Sequence, residues 1–532
     1  MRMNRRDFIT RAVPASTLPF LLNGYALQAF GRSPIIDALT SAAFSTNRVL
    51  VLVQLVGGND GLNTVIPLDR YTSLSSARSN ILIPSASVLP LTTATGLHPA
   101  MTGLQTMYNN GQLLVVQCVS YPNPNFSHFR ATDIWLTATD ANIVGNSGWL
   151  GRYLDQEFPG YPGAYPSPAA PDPLALQIGS VVSPGLQGPT VSMGQAVTNP
   201  NSSYFLPGGS DTPPATPAGH ELTFIREVAQ QTQAYSTSIK AAATKGKNLS
   251  TLYPAAGQNS LSDQLKIVAQ LIAGGLQTRI YVVSIGGFDT HSAQVTLTDT
   301  TQGTHATLLG KLSVAVSAFE DDLRLLGAQD RVLGMTFSEF GRRIISNASG
   351  GTDHGTAEPV ILFGSNVNAG IIGTNPVLPA TPTVNDNIPL QFDFRSVYSS
   401  VLKDWFGASP TELQVAITGT ITNPLTSSVV ASGAVAGVGS QANLPTSYSL
   451  EQNYPNPFNP STVIRYDLPR GSNVVLDVYN SLGERVATLV DGPQSAGVHE
   501  VSFNASALAS GMYLYRIRAG SYQETRKMIL VR

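Results

Sequence analysis

The chain has a single cysteine, Cys118, which excludes an internal disulfide and a cysteine-built zinc site. Any bound metal must therefore be held by oxygen and imidazole. Charge is scarce as well: Asp, Glu, Lys and Arg make up 12% of the residues, about half the usual share. The formal net charge is −2, and no basic run occurs beyond the first residues. This excludes nucleic-acid binding through phosphate neutralisation. No apolar stretch is long and unbroken enough to form a membrane-spanning helix. Histidine is limited to 7 residues, so the placement of each one carries information. What the chain does have is turn chemistry, with Gly 48 and Pro 36. Its apolar fraction of 42% is that of a globular protein. At 532 residues it exceeds one hydrophobic core, and two or three domains are expected. A weakly charged, loop-rich surface suits an exported protein.

The N-terminus is consistent with export. Arg5 and Arg6 are followed by Phe8 and Ile9, then by a mildly apolar stretch ending near "ALQAF". This resembles a twin-arginine signal over residues 1–30 and implies the twin-arginine translocase as a partner. Pro14 and Pro19 break the stretch.

Five apolar runs end in glycines or polar residues: "NRVLVLVQLVGGNDGLN" (47–63), "QLLVVQCVSYPNPNFSHF" from 112, "RIYVVSIGGFDTH" from 279, "RVLGMTFSEFGRR" from 331 and "PVILFGSNV" from 359. Each has the pattern of a buried parallel strand entering a loop. Helical periodicity lies between them. Leu308, Leu312, Ala315, Phe319, Leu323 and Leu326 step by three or four residues, and "SDQLKIVAQLIAGGLQ" and "RSVYSSVLKDWFG" also read as helices. The alternation predicts an α/β domain over 45–424 with a mostly parallel sheet. In such sheets ligands bind beyond the carboxyl ends of the strands. Residues 160–260, rich in Pro, Gly, Ser and Thr, read as a loop-dominated insertion, and 425–445 as a small-residue linker. From 446 to 532, short alternating strands separated by turn residues predict a small Ig-like β-sandwich.

The polar residues that follow the apolar runs form a candidate constellation: Asp60 in "GGNDGLN", Ser127 and His128 in "NFSHFRATDIW", Asp289 and His291 in "GGFDTHSAQ", His305 in "GTHATLL", Glu339, Arg342 and Arg343 in "SEFGRR", and Asp353 and His354 in "GGTDHGT". Carboxylates and imidazoles that converge on one point can hold a divalent cation. Neighbouring glycines let the backbone turn sharply enough to bring them together. Each residue also has a structural reading. Asp60 and Ser127 are plausible helix caps. Asp289 and His291, two apart, face the same way on extended backbone. His305 opens a helix and can simply pack there. Glu339 reads first as a salt-bridge partner of Arg342 or Arg343, and those arginines otherwise read as an anion-binding fork.

Taken in order, "LVLVQLVGGNDGLNTVIP", "SHFRATDIW", "GGFDTHSAQ", "FSEFGRR", "GGTDHGTAEPVILFG" and "FRSVYSSVLKDWFG" resemble a bacterial family catalogued as domain of unknown function 1501, which is placed with the alkaline phosphatase and sulfatase superfamily. The resemblance covers about residues 45–410. It implies an alkaline phosphatase-like core in which Asp60, Asp289, His291, Asp353 and His354 hold one or two divalent ions (zinc, calcium, magnesium or manganese) and Ser127 is the nucleophile. The implied activity is hydrolysis of a small anionic phosphate or sulfate ester. The alternative is a cell-surface binding or structural protein that keeps the fold without turnover. Three features depart from the superfamily pattern. After the Asp353–His354 pair the next histidine is His499, inside the terminal module, so His305 or Glu339 is the candidate substitute, or the site holds a single ion. Many superfamily members also place Asp and His four residues apart, not two, in the span matched by Asp289 and His291. The Cys-x-Pro-x-Arg pattern of sulfatases is also absent. The terminal module, with "LEQNYPNPFNPSTVIRYDLP" and "LASGMYLYRIRAG", resembles the sorting domain of type IX secretion cargo. That implies the type IX machinery as a partner and a secreted or cell-surface destination by way of the periplasm.

Overall fold

A computed structural model of the protein describes residues 20–22, 25–27, 48–163, 165–168, 170–201, 216, 235–431, 448–468, 472–481, 483–494, 497–520 and 522–531. The chain divides into two units, Met1–Val435 and Ala436–Arg532. Apart from two short strands, the proposed export signal lies outside the described residues.

All five apolar runs become strands, and they share one nine-stranded sheet. Its members are β1 (Val49–Val56), β2 (Leu113–Ser120), β3 (Ala175–Ile178), β4 (Gly194–Val197), β5 (Ile280–Gly286) and β6 (Val332–Phe337). A hairpin, β7 (Arg342–Ser346) and β8 (Thr352–His354), stands apart from the sheet. The sheet then resumes with β9 (Glu358–Phe363), β10 (Gly370–Ile372) and β11 (Phe392–Asp393). Across the sheet the order is β10-β2-β9-β6-β1-β5-β3-β4, and β11 also pairs with β2. In the middle, β1 lies parallel to both β5 and β6, with Leu50 opposite Ile280 and Leu333. Every side chain of β2 is buried, and each Leu or Val covered in this way contributes about 1.5–3 kcal/mol.

The sheet is mixed rather than uniformly parallel, because β9 runs antiparallel to β2 and β6. The physical reason is the connection. Between β6 and β9 the chain makes only the β7–β8 hairpin, with no helix to carry it back across the sheet, so it re-enters from the end it has just left. The start of β9 therefore lies at the rim where β1, β2, β5 and β6 finish.

Three helices matter for the site. The first, α1 (His128–Thr137), follows β2. The second, α2 (Ser260–Ala273), is capped by the Asn259 side chain, which accepts from the amides of Leu261 and Ser262. The third, α3 (Thr304–Leu325), buries the face read from its periodicity, including Leu312, Ala315, Phe319 and Leu323.

Two sequence expectations need correction. The Pro-rich segment 160–260 is not merely loop: β3 and β4 extend the sheet, and Leu174, Leu176 and Ile178 are buried in the core. The flanking prolines hide a short apolar strand within that composition. The linker expected over 425–445 is not all linker either: Val429 and Val430 are buried in the same core, and residues 432–447 lie outside the described residues.

The second unit is all β. One sheet contains Ser449–Leu450, Ser461–Leu468 and Gly497–Asn504. The other contains Ser472–Tyr479, Arg485–Gln494, Gly511–Ala519 and Tyr522–Leu530. All their pairings are antiparallel. Along Ser461–Leu468 buried and open positions alternate, with Ile464, Tyr466 and Leu468 facing inward.

Candidate functional site

The rim loops approach one another more closely than side chains would normally allow. Gly57, after β1, has φ +123°, and a Cβ there would lie 2.3 Å from the Asp289 amide nitrogen. At Gly351, in the hairpin, a Cβ would meet the Thr290 carbonyl oxygen at 2.4 Å. These glycines let the "GGND", "FDTH" and "GGTDH" segments touch.

The contact is locked by Arg342, whose side chain is fully buried. Its Nε donates to the Gly58 carbonyl (2.8 Å), Nη1 to that of Thr352 (2.9 Å), and Nη2 to those of Gly57 and Phe288 and to Asp289 Oδ1 (2.8 Å). Arg342 is thus a backbone clamp that also orients Asp289. Arg343 is committed as well, donating to the carbonyls of His354 and Val384 and lying over the Phe126 ring. The arginine fork expected to bind an anion is used internally.

Above this clamp lies an imidazole–carboxylate cluster. His291 Nε2 is 2.9 Å from His354 Nε2 and 3.1 Å from Asp289 Oδ1. His354 Nε2 is 3.3 Å from the same oxygen, and His128 Nε2 is 3.5 Å from Asp289 Oδ2. Ligand atoms of His128, Asp289 and His354 all lie within 4.8 Å of one another. Imidazole nitrogens and a carboxylate at this spacing suit a divalent cation. Burial works against the Asp289 carboxylate, but its hydrogen bond to Arg342 and the charge of that residue outweigh it and hold the pKa below the ordinary value. Burial lowers the pKa of His354, and Arg342 lowers it further against the hydrogen bond to the Phe126 carbonyl. Both shifts favour the ligating forms.

Not every candidate joins the cluster. Asp60 lies fully buried beneath it, and both carboxylate oxygens accept from Arg78 Nη1, at 3.0 and 2.8 Å. Gln294 Nε2 donates to Asp60 Oδ2 at 2.6 Å, and Gln294 Oε1 accepts from Thr290 and Thr352. Burial raises the Asp60 pKa, but Arg78, His305 and Gln294 outweigh it and the net shift is downward. Asp60 takes the N-cap position of a short helix without making a side-chain cap bond. Asp353 turns Oδ1 toward His291 Nδ1 (3.2 Å) and Asn347 Nδ2 (3.1 Å) rather than toward the convergent nitrogens. His305 is buried against Asn59 Oδ1 (3.2 Å), with its pKa lowered to about 4, chiefly by burial. It packs in the interior rather than filling the place of a later ligand.

Glu339 departs most from expectation. It pairs with neither arginine. Its Oε1 instead contacts His128 Nδ1 (2.8 Å) and accepts from the Gly57 amide (2.8 Å). Ser127, exposed at the N-cap of α1, makes no capping bond. The supporting roles of Arg78 and Asn347 leave no sequence signal, because each is a lone residue in an otherwise ordinary helix or turn. Gln294, by contrast, stands inside the "GGFDTHSAQ" motif.

A family model described as protein of unknown function, DUF1501, matches residues 117–392, more than half of the chain. The chain belongs to the DUF1501 family. The model for a secretion system C-terminal sorting domain matches 452–531. This DUF1501 protein therefore carries a type IX sorting domain that marks it for secretion to the cell surface. No helix among the described residues is long and apolar enough to cross a membrane. No curated protein matches the sequence. Among solved structures, PorZ, a surface component of the type IX system of Porphyromonas gingivalis, is 18% identical over 18% of this chain, with a TM-score of 0.13. The DUF1501 chain spans 13% of PorZ. A protein in the alkaline phosphatase superfamily from Vibrio parahaemolyticus is 8% identical, covering 89% of this chain and 82% of its own, with a TM-score of 0.31. A protein linked to glycosaminoglycan metabolism in Bacteroides thetaiotaomicron is 10% identical, with coverages of 83% and 89% and a TM-score of 0.32.

Proposed function

We propose that the α/β domain is a metal-dependent hydrolase of phosphate or sulfate esters, sent through the twin-arginine translocase and then the type IX machinery. The observation that carries this reading is the convergence of two imidazole Nε2 atoms, 2.9 Å apart, on one carboxylate oxygen at the open rim of the sheet. In this reading His291, His354 and Asp289 hold a divalent ion, and Arg342 keeps Asp289 aimed at it. When bound, such an ion supplies Lewis acidity for the negative charge that develops on the ester. Ser127 is the nucleophile. Its hydroxyl is exposed and not spent on capping, and it stands at the positive end of a ten-residue helix directly before His128.

The test is a metal analysis of the purified full chain followed by a screen of phosphate and sulfate esters. Hydrolysis that persists in Ser127→Ala removes that residue from the mechanism. A second reading, a surface binding protein without turnover, is favoured by the diversion of Asp60 to Arg78 and of Asp353 to His291, which leaves a single carboxylate in the cluster. A blank ester screen with the metal fully loaded selects it.

A further inference from the structure

The three histidines at the rim share a feature that their sequence positions do not reveal: each has its Nδ1 against an oxygen acceptor. His128 Nδ1 faces Glu339 Oε1 at 2.8 Å, His291 Nδ1 faces Asp353 Oδ1 at 3.2 Å, and His354 Nδ1 faces the Phe126 carbonyl at 2.8 Å. A carbonyl or an ionised carboxylate can only accept, so each Nδ1 is placed to donate, and a ring that holds its proton there leaves the Nε2 lone pair free for a cation. The Nε2 atoms of His291 and His354 face Asp289 Oδ1, at 3.1 and 3.3 Å, and that of His128 faces Oδ2 at 3.5 Å. The Nε2 atoms of His291 and His354 lie 2.9 Å apart, so both can present lone pairs only if a positive charge lies between them. Second-sphere oxygens that fix imidazole tautomers are a regular feature of metal sites built from histidine.

We propose that His128, His291 and His354 are together the imidazole ligands of one cation, completed by Asp289, and that Glu339 and Asp353 are positioning residues that set the tautomers of His128 and His291. The proposal rests on the metal-site reading above and deepens it. It adds His128 to the ligands and moves Asp353 from ligand to support. It also narrows the metal. Three imidazoles and one carboxylate suit zinc or a neighbouring transition ion, whereas calcium and magnesium take mainly oxygen ligands. Glu339 is well suited to its role. It is buried, and a second donor, the Gly57 amide, holds the same oxygen.

The experiment loads the full chain with cobalt(II) as a spectroscopic probe and measures zinc affinity by chelator competition. Wild type should show the intense visible bands of a four-coordinate cobalt site. His128→Ala should lose that band pattern and bind zinc at least about a hundredfold more weakly. Glu339→Gln should keep the bands in shifted form and lose about tenfold in affinity, at the lower end for an outer-sphere partner. Melts in chelator identify any variant that has lost its fold. X-ray absorption on zinc-loaded wild type counts the imidazoles without any substitution, and three are expected. Two or fewer, or an unchanged cobalt spectrum in folded His128→Ala, overturns the three-histidine assignment while leaving a metal site in place. Binding of calcium or magnesium in preference to zinc overturns the choice of metal class. A wild-type chain that binds neither zinc nor cobalt overturns both this proposal and the reading beneath it.

Discussion

Two polar layers lie one above the other at the end of the sheet, built from similar residue types and arranged to opposite effect. The lower layer contains Asp60, Arg78, Gln294 and His305, all buried, with the Asp60 carboxylate gripped by a guanidinium and an amide. The upper layer contains His128, Asp289, His291 and His354, partly open, with ring nitrogens turned toward one another instead of toward donors. The Asp60 carboxylate, held on both oxygens by a guanidinium and an amide, has a structural role. Asp289 gives Oδ1 to Arg342 but also faces three imidazoles, which offers a place to something from outside. Residue type alone does not separate the two cases, whereas the surroundings of each carboxylate do.

That contrast breaks if the upper layer proves structural or the lower one chemical. Ser127→Ala should reduce ester turnover by about a thousandfold or more while leaving the thermal melt where it was. Arg78→Met should do the reverse. It strands a buried carboxylate and should cost about 3–5 kcal/mol in urea unfolding, whereas Asp289→Asn at the open rim should move the unfolding midpoint far less and show its effect in metal binding.

The lower layer also predicts an acid sensitivity. Burial lowers the pKa of His305 to about 4, and that of His98, whose buried ring packs edge-on against His305, to about 3. Both rings remain neutral in the fold, while the unfolded chain takes up protons below about pH 6.5. The stability they support is therefore complete above that pH and drains away as pH falls toward 4, at up to about 1.4 kcal/mol per unit for each ring. Urea midpoints measured from pH 7.5 to 5 should show the slope, and His305→Gln should flatten part of it.

A smaller effect of opposite sign belongs to Glu320, on α3. Burial raises its pKa to about 8, and its carboxyl oxygens have no hydrogen-bond partner among the described residues. The fold keeps that proton where the unfolded chain has released it, so stability declines as pH rises from about 4.5 to 8. Glu320→Leu should remove the decline, giving a gain in melting temperature at pH 8 that shrinks at pH 5.

Much of this was legible in the sequence. The apolar runs ending in glycine located the central strands, the three-and-four spacing from Leu308 located α3, and the alternation after residue 446 located the terminal sandwich. The motifs also named the residues that meet at the rim, His128 and Glu339 among them. The partners were not legible. Nothing local to "SSARSN" shows that Arg78 will reach Asp60, because that pairing is made by the fold and not by spacing. The expected Glu339–arginine bridge failed for the same reason: proximity in "SEFGRR" favours neighbours, yet Arg342 points back into the loop carbonyls and Glu339 toward α1. The reversal of β9 was hidden because a buried strand reads alike in either direction.

That reversal gives the molecule a self-contained part. The segment from Gly341 to Ala357 leaves and re-enters at a single edge, and its stems are stitched by hydrogen bonds from the Gly341 amide to Thr356 and from the Gly355 amide to Gly341. A loop closed in this way carries Arg342 and His354 together, so the clamp and one imidazole reach the rim as a unit without rethreading any other strand. A change in the length of this one insert would therefore shift both at once, while the packed Leu and Val strands beneath it keep their pairing.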